Sequence, residues 1–398
     1  MLEENRPSVL DVFAAPGGLS EGFRQARYFI AAQIDNDLWG CKTLTYNFAN
    51  RGTLVIQGDI RSISITGKVD VVIGGPPCQS FSMVGRPKIA HLQKNKVRKR
   101  FIDDERNRLY KEFVRIVKSV NPQFFVMENV PGIYSFDEGK IVEQILEDFE
   151  AVGYYTQHDV LNAVQFGVPQ VRKRVFFIGN RIGVKNPFPH PTHADLSKGQ
   201  MSLFENRIYL KDYVRLRDAI SDLPVIQAGE GSDEMKYPPM TPLSDYQIMM
   251  RKGSRVVYNH IARGHSERDR KLFRMLNEGE KMSDLPENLR PYDDRIFSDK
   301  IKKQSWSRPS SAVLSHMQKD CLMYVHPDLY QARTFTPRES ARVQSFRDKY
   351  RFRGPMTQQF RQIGNAVPPL LAKRIAMSIR PLLQPAETPL VSYNILTA

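Results

Sequence analysis

Asp70-Val-Val-Ile-Gly-Gly-Pro-Pro-Cys-Gln-Ser-Phe-Ser82 carries the clearest structural signal in the chain. The β-branched run Val71 to Ile73 reads as a buried strand; Gly74 and Gly75 end it, and Pro76-Pro77 stiffens the exit. In parallel α/β sheets the strand ends are where ligands and reactive groups gather, so the segment delivers Cys78 to the rim of such a sheet. Cys78 is therefore a candidate nucleophile. Only the thiolate attacks, and an unperturbed cysteine is only a few per cent ionised at neutral pH, so the role requires an electropositive, semi-exposed pocket. The alternative is a cysteine packed as a small apolar group.

Outward from this segment, the apolar runs Ser8 to Phe13, Tyr28 to Ile34, Thr53 to Ile56, Val69 to Ile73 and Gln123 to Met127 alternate with amphipathic stretches. Strands separated by helical patterns predict a doubly wound, mostly parallel α/β sheet. Two further runs, Gln157 to Leu161 and Arg174 to Ile178, joined through Phe166-Gly-Val-Pro-Gln170, predict a terminal antiparallel hairpin. At Asn186-Pro-Phe-Pro-His-Pro-Thr-His193 the texture becomes irregular, with one clear helical stretch near Ser266 to Asn277. This predicts a smaller domain over 187–330 and a larger one built from 1–186 and 331–398, ending in a loose tail from 384. His190 and His193 read as linker residues, because the intervening Pro-Thr breaks helical spacing and no third ligand follows.

The 398 residues carry 58 basic and 43 acidic side chains, a net charge of +15, which favours a polyanionic partner and points to nucleic acid. The three cysteines, Cys41, Cys78 and Cys321, are too far apart for a CxxC pair, so no metal site is expected and a reducing cytoplasm fits. No signal-peptide pattern or membrane-spanning apolar run is read.

Asp11-Val-Phe-Ala-Ala-Pro-Gly-Gly-Leu-Ser-Glu-Gly-Phe23 reads as a strand, a turn at Gly17 and Gly18, and a helix start, the geometry that lets a cofactor approach the backbone. Its spacing disfavours a dinucleotide. Asp35, after the second run, is placed to take ribose hydroxyls, and Asp59, after the third, to accept from an adenine amino group; capping is the alternative role for each. Together they describe an adenosine pocket without a phosphate site, which suits S-adenosylmethionine. Glu128 and Asn129 end another strand, where a carboxyl group on an apolar rim can protonate a ring nitrogen. In Gln170-Val-Arg-Lys-Arg174, Arg172 and Arg174 are two apart, as on one face of a strand, and suit an anion or a carbonyl oxygen. The run Lys94 to Arg100, with Lys96, Arg98 and Lys99, is placed for phosphate contact.

With these residues in view, the chain resembles the DNA cytosine-5 methyltransferases of the prokaryotic modification type over about 8–180 and 331–380. Six motifs follow in order: Phe13 to Leu19, Gly75-Pro-Pro-Cys-Gln79, Met127-Glu-Asn-Val130, Gln170 to Arg174, Arg333 to Gln344, and Gln362-Ile-Gly-Asn-Ala-Val-Pro368. Ala15 and Arg347 depart from the family pattern, where a glycine and a proline are common. The resemblance implies an S-adenosylmethionine-dependent methyltransferase fold and a target-recognition role for the smaller domain. It implies that Cys78 attacks C6 of cytosine, Glu128 bonds N3, Arg174 with Arg172 holds O2 and the carboxylate, and Asn129 braces the Glu128 loop. The base that removes the C5 proton is left open. Phe13, Gly17, Gly18, Leu19, Asp35, Asp59, Ile60, Pro77, Leu109, Asn365, Ala366 and Val367 match positions around S-adenosylmethionine. The C-terminal helices are then expected beside the first strand.

Because C6 of a stacked cytosine is out of a thiolate's reach, the base must be flipped out. Gln79, Ser82 and Arg86 in the loop after Cys78, and Arg308 and Ser310 in Arg308-Pro-Ser-Ser-Ala-Val313, are the expected DNA contacts. A transfer-RNA methyltransferase of the same fold is the nearest rival; relatives of that kind carry Pro-Phe-Thr where this chain has Ser80-Phe-Ser82. A non-catalytic homologue would have lost Cys78, Glu128 or Arg174. The expected partners are double-stranded DNA and a restriction endonuclease acting on the same site, and the expected form is a monomer associated with the nucleoid.

Overall fold

The computed structural model describes residues 6–77, 109–198, 210–239, 242–293, 300–384 and 390–395. It divides into two units, one of 1–162, 173–190 and 371–398, the other of 163–172 and 191–370.

The first unit is mixed α/β. Among the described residues its central sheet contains β1 (Ser8–Val12), β2 (Phe29–Asp35), β3 (Leu54–Gln57), β5 (Val71–Gly74), β6 (Phe124–Asn129), β7 (Tyr155–Asn162) and β9 (Lys173–Asn180), in the order β3-β2-β1-β5-β6-β9-β7. The first five are parallel; β9 is antiparallel to β6 and β7, so the terminal hairpin is present. All seven expected runs form strands, with ends within two residues of those read from the sequence. They were legible because β1 and β5 are buried along their whole length, and strands covered on both faces read as unbroken apolar runs.

Four helices flank these strands in sequence: α1 (Gly18–Gln25), α2 (Leu38–Phe48), α3 (Leu109–Val120) and α4 (Lys140–Glu150). On α3, Tyr110, Phe113, Ile116, Val117 and Val120 recur at helical spacing and are buried, as are Val142, Ile145 and Phe149 on α4. Phe125 of β6 stacks on Phe149 at 3.9 Å and meets Phe113 edge-on at 6.0 Å, which locks both helices to the strand.

One expectation for this unit is corrected. The tail from 384 is not loose throughout: β15 (Leu390–Ile395) pairs antiparallel with β4 (Ile63–Lys68), outside the central sheet. Pro385 and Pro389 hid an alternating segment, Leu390-Val-Ser-Tyr-Asn-Ile395, whose Val391 packs on the core. Within this unit the C-terminal chain meets the turn before β2. The Tyr28 hydroxyl donates to the Ala376 carbonyl at 2.9 Å, and Arg380 donates to the Ala26 carbonyl at 2.8 Å.

The second unit is built from short pairs and turns: β8 (Gln170–Val171) with β14 (Ser310–Ser311), β10 (His193–Ala194) with β11 (Lys211–Asp212), and β12 (Gly231–Lys236) with β13 (Val256–Ile261). Its helices are α5 (Leu216–Ile220), α6 (Asp245–Arg251), α7 (Glu267–Met275), α8 (Pro337–Val343) and α9 (Met356–Asn365); α10 (Pro369–Ile379) follows across the boundary. The expected helix near 266–277 is α7, capped by Ser266, whose hydroxyl accepts from the Asp269 amide.

Residues 331–370, read from the sequence with the larger domain, cluster here instead. Buried charge ties this segment to the rest of the unit. Every residue of α8 is buried, and Arg342 lies between Asp222 and Asp348, with its Nη2 2.7 Å from Asp348 Oδ2. Arg333 pairs with Glu339 at 2.7 Å and donates to the Ile226 carbonyl at 2.8 Å. Buried charges are stable only with their partners, and those partners belong to this unit.

The same packing predicts acid sensitivity. His260, His265 and His326 are pushed down to about 4, 4 and 3, in each case chiefly by burial. An unfolded histidine titrates near about 6.5, so above that pH the three are neutral in both states and contribute no pH dependence. Below it the unfolded chain binds protons that the folded chain refuses, and stability falls. Glu339 and Asp348 are held low against burial by Arg333 and Arg342; their contribution is present above the unfolded carboxylate range and is lost as pH drops through and below it. Melting followed from pH 7.5 to 4.5 is expected to show a falling transition temperature from about pH 6.5 downward. An unchanged transition between pH 7 and 5 rejects this account.

Candidate active site

In the first unit, the loop after β1 is shaped by Phe13 at φ 59° and Gly17 at φ 94°, with Gly17 starting α1. The Ala14 amide donates to the Ile34 carbonyl at 3.0 Å, which ties the loop to β2. Asp35, at the end of β2, accepts from the Ala15 amide at 2.9 Å and the Asp37 amide at 2.8 Å. Its carboxylate thus faces the loop. Ala15 is accommodated because its Cβ abuts Gly40, where a side-chain carbon would come within 2.4 Å. Leu19 and Ile60 are buried, Pro77 is exposed at the end of the described strand exit, and Leu109 packs against the core at the start of α3.

Asp59 is engaged differently from the simplest expectation. It caps the turn Ile60–Ser62, accepting from the Arg61 amide, and its carboxylate pairs with the Arg61 side chain at 2.6 Å, which lowers its pKa. A residue that gained no role from its sequence supports the loop from beneath. Fully buried Asp11 accepts from the Ser20 hydroxyl at 2.6 Å, joining β1 to α1, and burial pushes its carboxyl up to about 7. The signal was present as a lone acid inside the apolar run Ser8 to Phe13.

At the other side of β5, Glu128 and Arg174 meet across β6 and β9. The Arg174 Nε lies 2.8 Å from Glu128 Oε1, with both side chains 13% exposed. Desolvation lowers the Arg174 pKa, and the Glu128 charge opposes that shift. In register, Glu128 stands opposite Phe176, so Arg174, two residues along β9, shares its face. Gly75 runs alongside: a Cβ there would sit 3.1 Å from Glu128 Oε2, so the strand exit leading toward Cys78 passes close to the carboxylate where it carries no side chain. Buried Asn129 accepts from the Val130 amide at 2.8 Å, turning the chain after Glu128. Cys78, Gln79, Ser82, Arg86, Lys96, Arg98 and Lys99 lie outside the described residues.

The second unit places the remaining candidates. Arg308 is exposed, whereas Ser310 is buried with its hydroxyl 3.2 Å from Gln304 Oε1, which corrects the expectation of a direct DNA contact from that side chain. Asn365 ends α9 and is exposed; Ala366 and Val367 are buried. Arg172 is also corrected. The stretch 170–174 is not one strand, since β8 and β9 belong to different sheets, and the 1% exposed Arg172 gives its guanidinium to the carbonyls of Val313, Gly364 and Ala366 at 2.5, 3.0 and 3.0 Å. A guanidinium committed in this way is not offered to a base. Among the described residues no group of three or more His, Cys, Asp or Glu side chains is placed to hold a metal ion, and no helix is long and apolar enough to cross a membrane.

The family model of the C-5 cytosine-specific DNA methylases matches residues 8–380. The Type II methyltransferase M.DdeI of Desulfomicrobium norvegicum is 38% identical, covering 94% of this chain and 88% of its own. M.Bpa9945I of Bacillus paralicheniformis is 32% identical, covering 94% and 98%. A solved structure described as a DNA modification methyltransferase encoded within a prophage (E. coli) shares the fold at a TM-score of 0.68 and 23% identity, over 94% of this chain and 99% of that one.

Proposed function

From the premise that this chain belongs to the C-5 cytosine-specific DNA methylases, and so transfers a methyl group to C5 of cytosine in DNA, we propose how its own residues divide that work. The observation that carries the reading is the Glu128–Arg174 pair beside the strand exit that leads to Cys78. Arg174 steers the Glu128 carboxyl and presents donors suited to the cytosine O2, while Glu128 bonds N3 and keeps negative charge from building on the ring. The Cys78 thiolate uses its electron pair to form the bond to C6, and the C5–C6 π pair moves toward C5, which becomes nucleophilic. Once C5 is methylated, a base takes the C5 proton; the C5–H pair restores the double bond and the C6–S bond breaks, returning the thiolate.

The donor set fits S-adenosylmethionine. Asp35 is a carboxylate that ends β2 and faces the Phe13 to Leu19 loop, which offers close backbone approach without a phosphate cradle. Asp59, Ile60, Pro77, Leu109 and the Asn365 to Val367 turn complete the proposed contacts. When bound, the cofactor supplies an electrophilic methyl group. Asp35→Ala is expected to weaken its binding by about 1 to 3 kcal/mol, the scale of a lost polar partner. Calorimetry showing unchanged affinity removes Asp35 from the pocket.

We also read the first unit as doubly wound and the second as the target-recognition part, in which the exposed Arg308 and the segment to Val313 meet bases of double-stranded DNA. Gln79, Ser82 and Arg86 then support the flipped base, and Lys96, Arg98 and Lys99 grip phosphates. Relatives named as Type II methyltransferases support a restriction endonuclease of the same target as partner, and we place the site of action in the cytoplasm. Incubation of the purified chain with labelled cofactor tests the reading. Label is expected in duplex DNA; label confined to transfer RNA refutes it.

A further inference from the structure

We propose that Arg172, with Gln170 and Gln344, is a specificity-positioning residue: the three side chains clamp the segment ending at Val313 to the turn at the end of α9. The inference rests on the reading of 308–313 as base-reading. Both polar groups of Val313 are held from this clamp, its amide by Gln170 Oε1 at 3.0 Å and its carbonyl by Arg172 Nη1 at 2.5 Å. The second arm of Arg172 takes the carbonyls of Gly364 and Ala366, both at 3.0 Å. Gln344 adds donations to the carbonyls of Ile363 at 2.6 Å and Ala366 at 3.3 Å. Gln170 closes the set by donating to the Val343 carbonyl and to Gln344 Oε1, each at 2.8 Å.

The backbones joined in this way approach as closely as chemistry permits. A Cβ on Gly364 would lie 2.2 Å from the Leu314 carbonyl carbon and the Ser315 nitrogen, so the glycine is required for contact between α9 and the residues that directly follow the reading segment. Burying a guanidinium is costly, and apolar packing of the same volume often serves stability as well. What a guanidinium adds is a planar set of donors at fixed angles, which holds several carbonyls in one mutual geometry. Here those carbonyls come from the segment proposed to read bases and from the turn proposed to meet the cofactor. A small shift of one against the other would move base-reading groups without touching the Glu128–Arg174 chemistry.

The test is the ratio of kcat/KM on the recognised duplex to that on duplexes changed at one base pair, measured below each variant's melting temperature. Arg172→Lys keeps the charge but cannot span the three carbonyls, and is expected to lower this ratio about tenfold or more, with weaker cofactor binding by calorimetry. Gln170→Met, a milder change, is expected to lower it less, and decides the question alone if Arg172→Lys does not fold. Arg174→Lys serves as the contrast, lowering kcat with the ratio preserved. A purely structural role predicts equal losses on all duplexes and an unchanged ratio, which overturns the proposal. If Arg308→Ala or exchange of 308–313 alters target preference while both clamp variants leave it unchanged, the clamp fails and the base-reading assignment stands. If neither of those changes alters preference, the base-reading assignment fails and the clamp falls with it.

Discussion

Cys78→Ala is expected to abolish methyl transfer while DNA binding persists. The substitution removes the atom that bonds to C6, and without that bond C5 of cytosine is too weakly nucleophilic for the reaction to proceed. Binding rests on phosphate contact and shape, to which one small side chain contributes little. Filter binding and methyl transfer measured on the same preparation separate the two functions. Substantial turnover by the alanine variant would sink the covalent route.

Glu128→Gln comes next in size. The amide keeps the shape of the side chain but loses the carboxyl group that pairs with Arg174 and serves N3. Single-turnover rates with saturating cofactor are expected to fall by about 10² or more, the scale of lost general acid catalysis. Because the paired residues lie at β6 and β9, while the loop that faces Asp35 follows β1, cofactor affinity should be little changed. An effect confined to cofactor affinity would take Glu128 out of the chemistry.

The parts of this molecule that were readable in advance are those governed by local rules. The strands of the parallel sheet are continuous apolar runs, and Asp35 and Glu128 follow directly from strand ends. What escaped depends on long-range pairing. The β4–β15 ladder joins residues more than 300 apart in sequence, and no periodicity announces which segments will pair. Residues 331–370 are tied to the rest of the second unit by Arg342 finding Asp222 and Arg333 the Ile226 carbonyl, matches that composition does not reveal. Arg172 was misread because period two was carried across a break between two strands of different sheets; its burial, rather than its spacing, defines its role. Ser310 was assigned from the motif around it, and its hydroxyl turns inward to Gln304.

Sequence-selective methylation of DNA cytosine at C5 is the central claim, and bisulfite sequencing of total DNA from cells expressing the chain tests it most directly. The account predicts conversion-resistant cytosines at one fixed position within one recurring sequence, present with the native chain and missing with Cys78→Ala. DNA that converts fully with the native chain, or resistance scattered without regard to sequence, would contradict it.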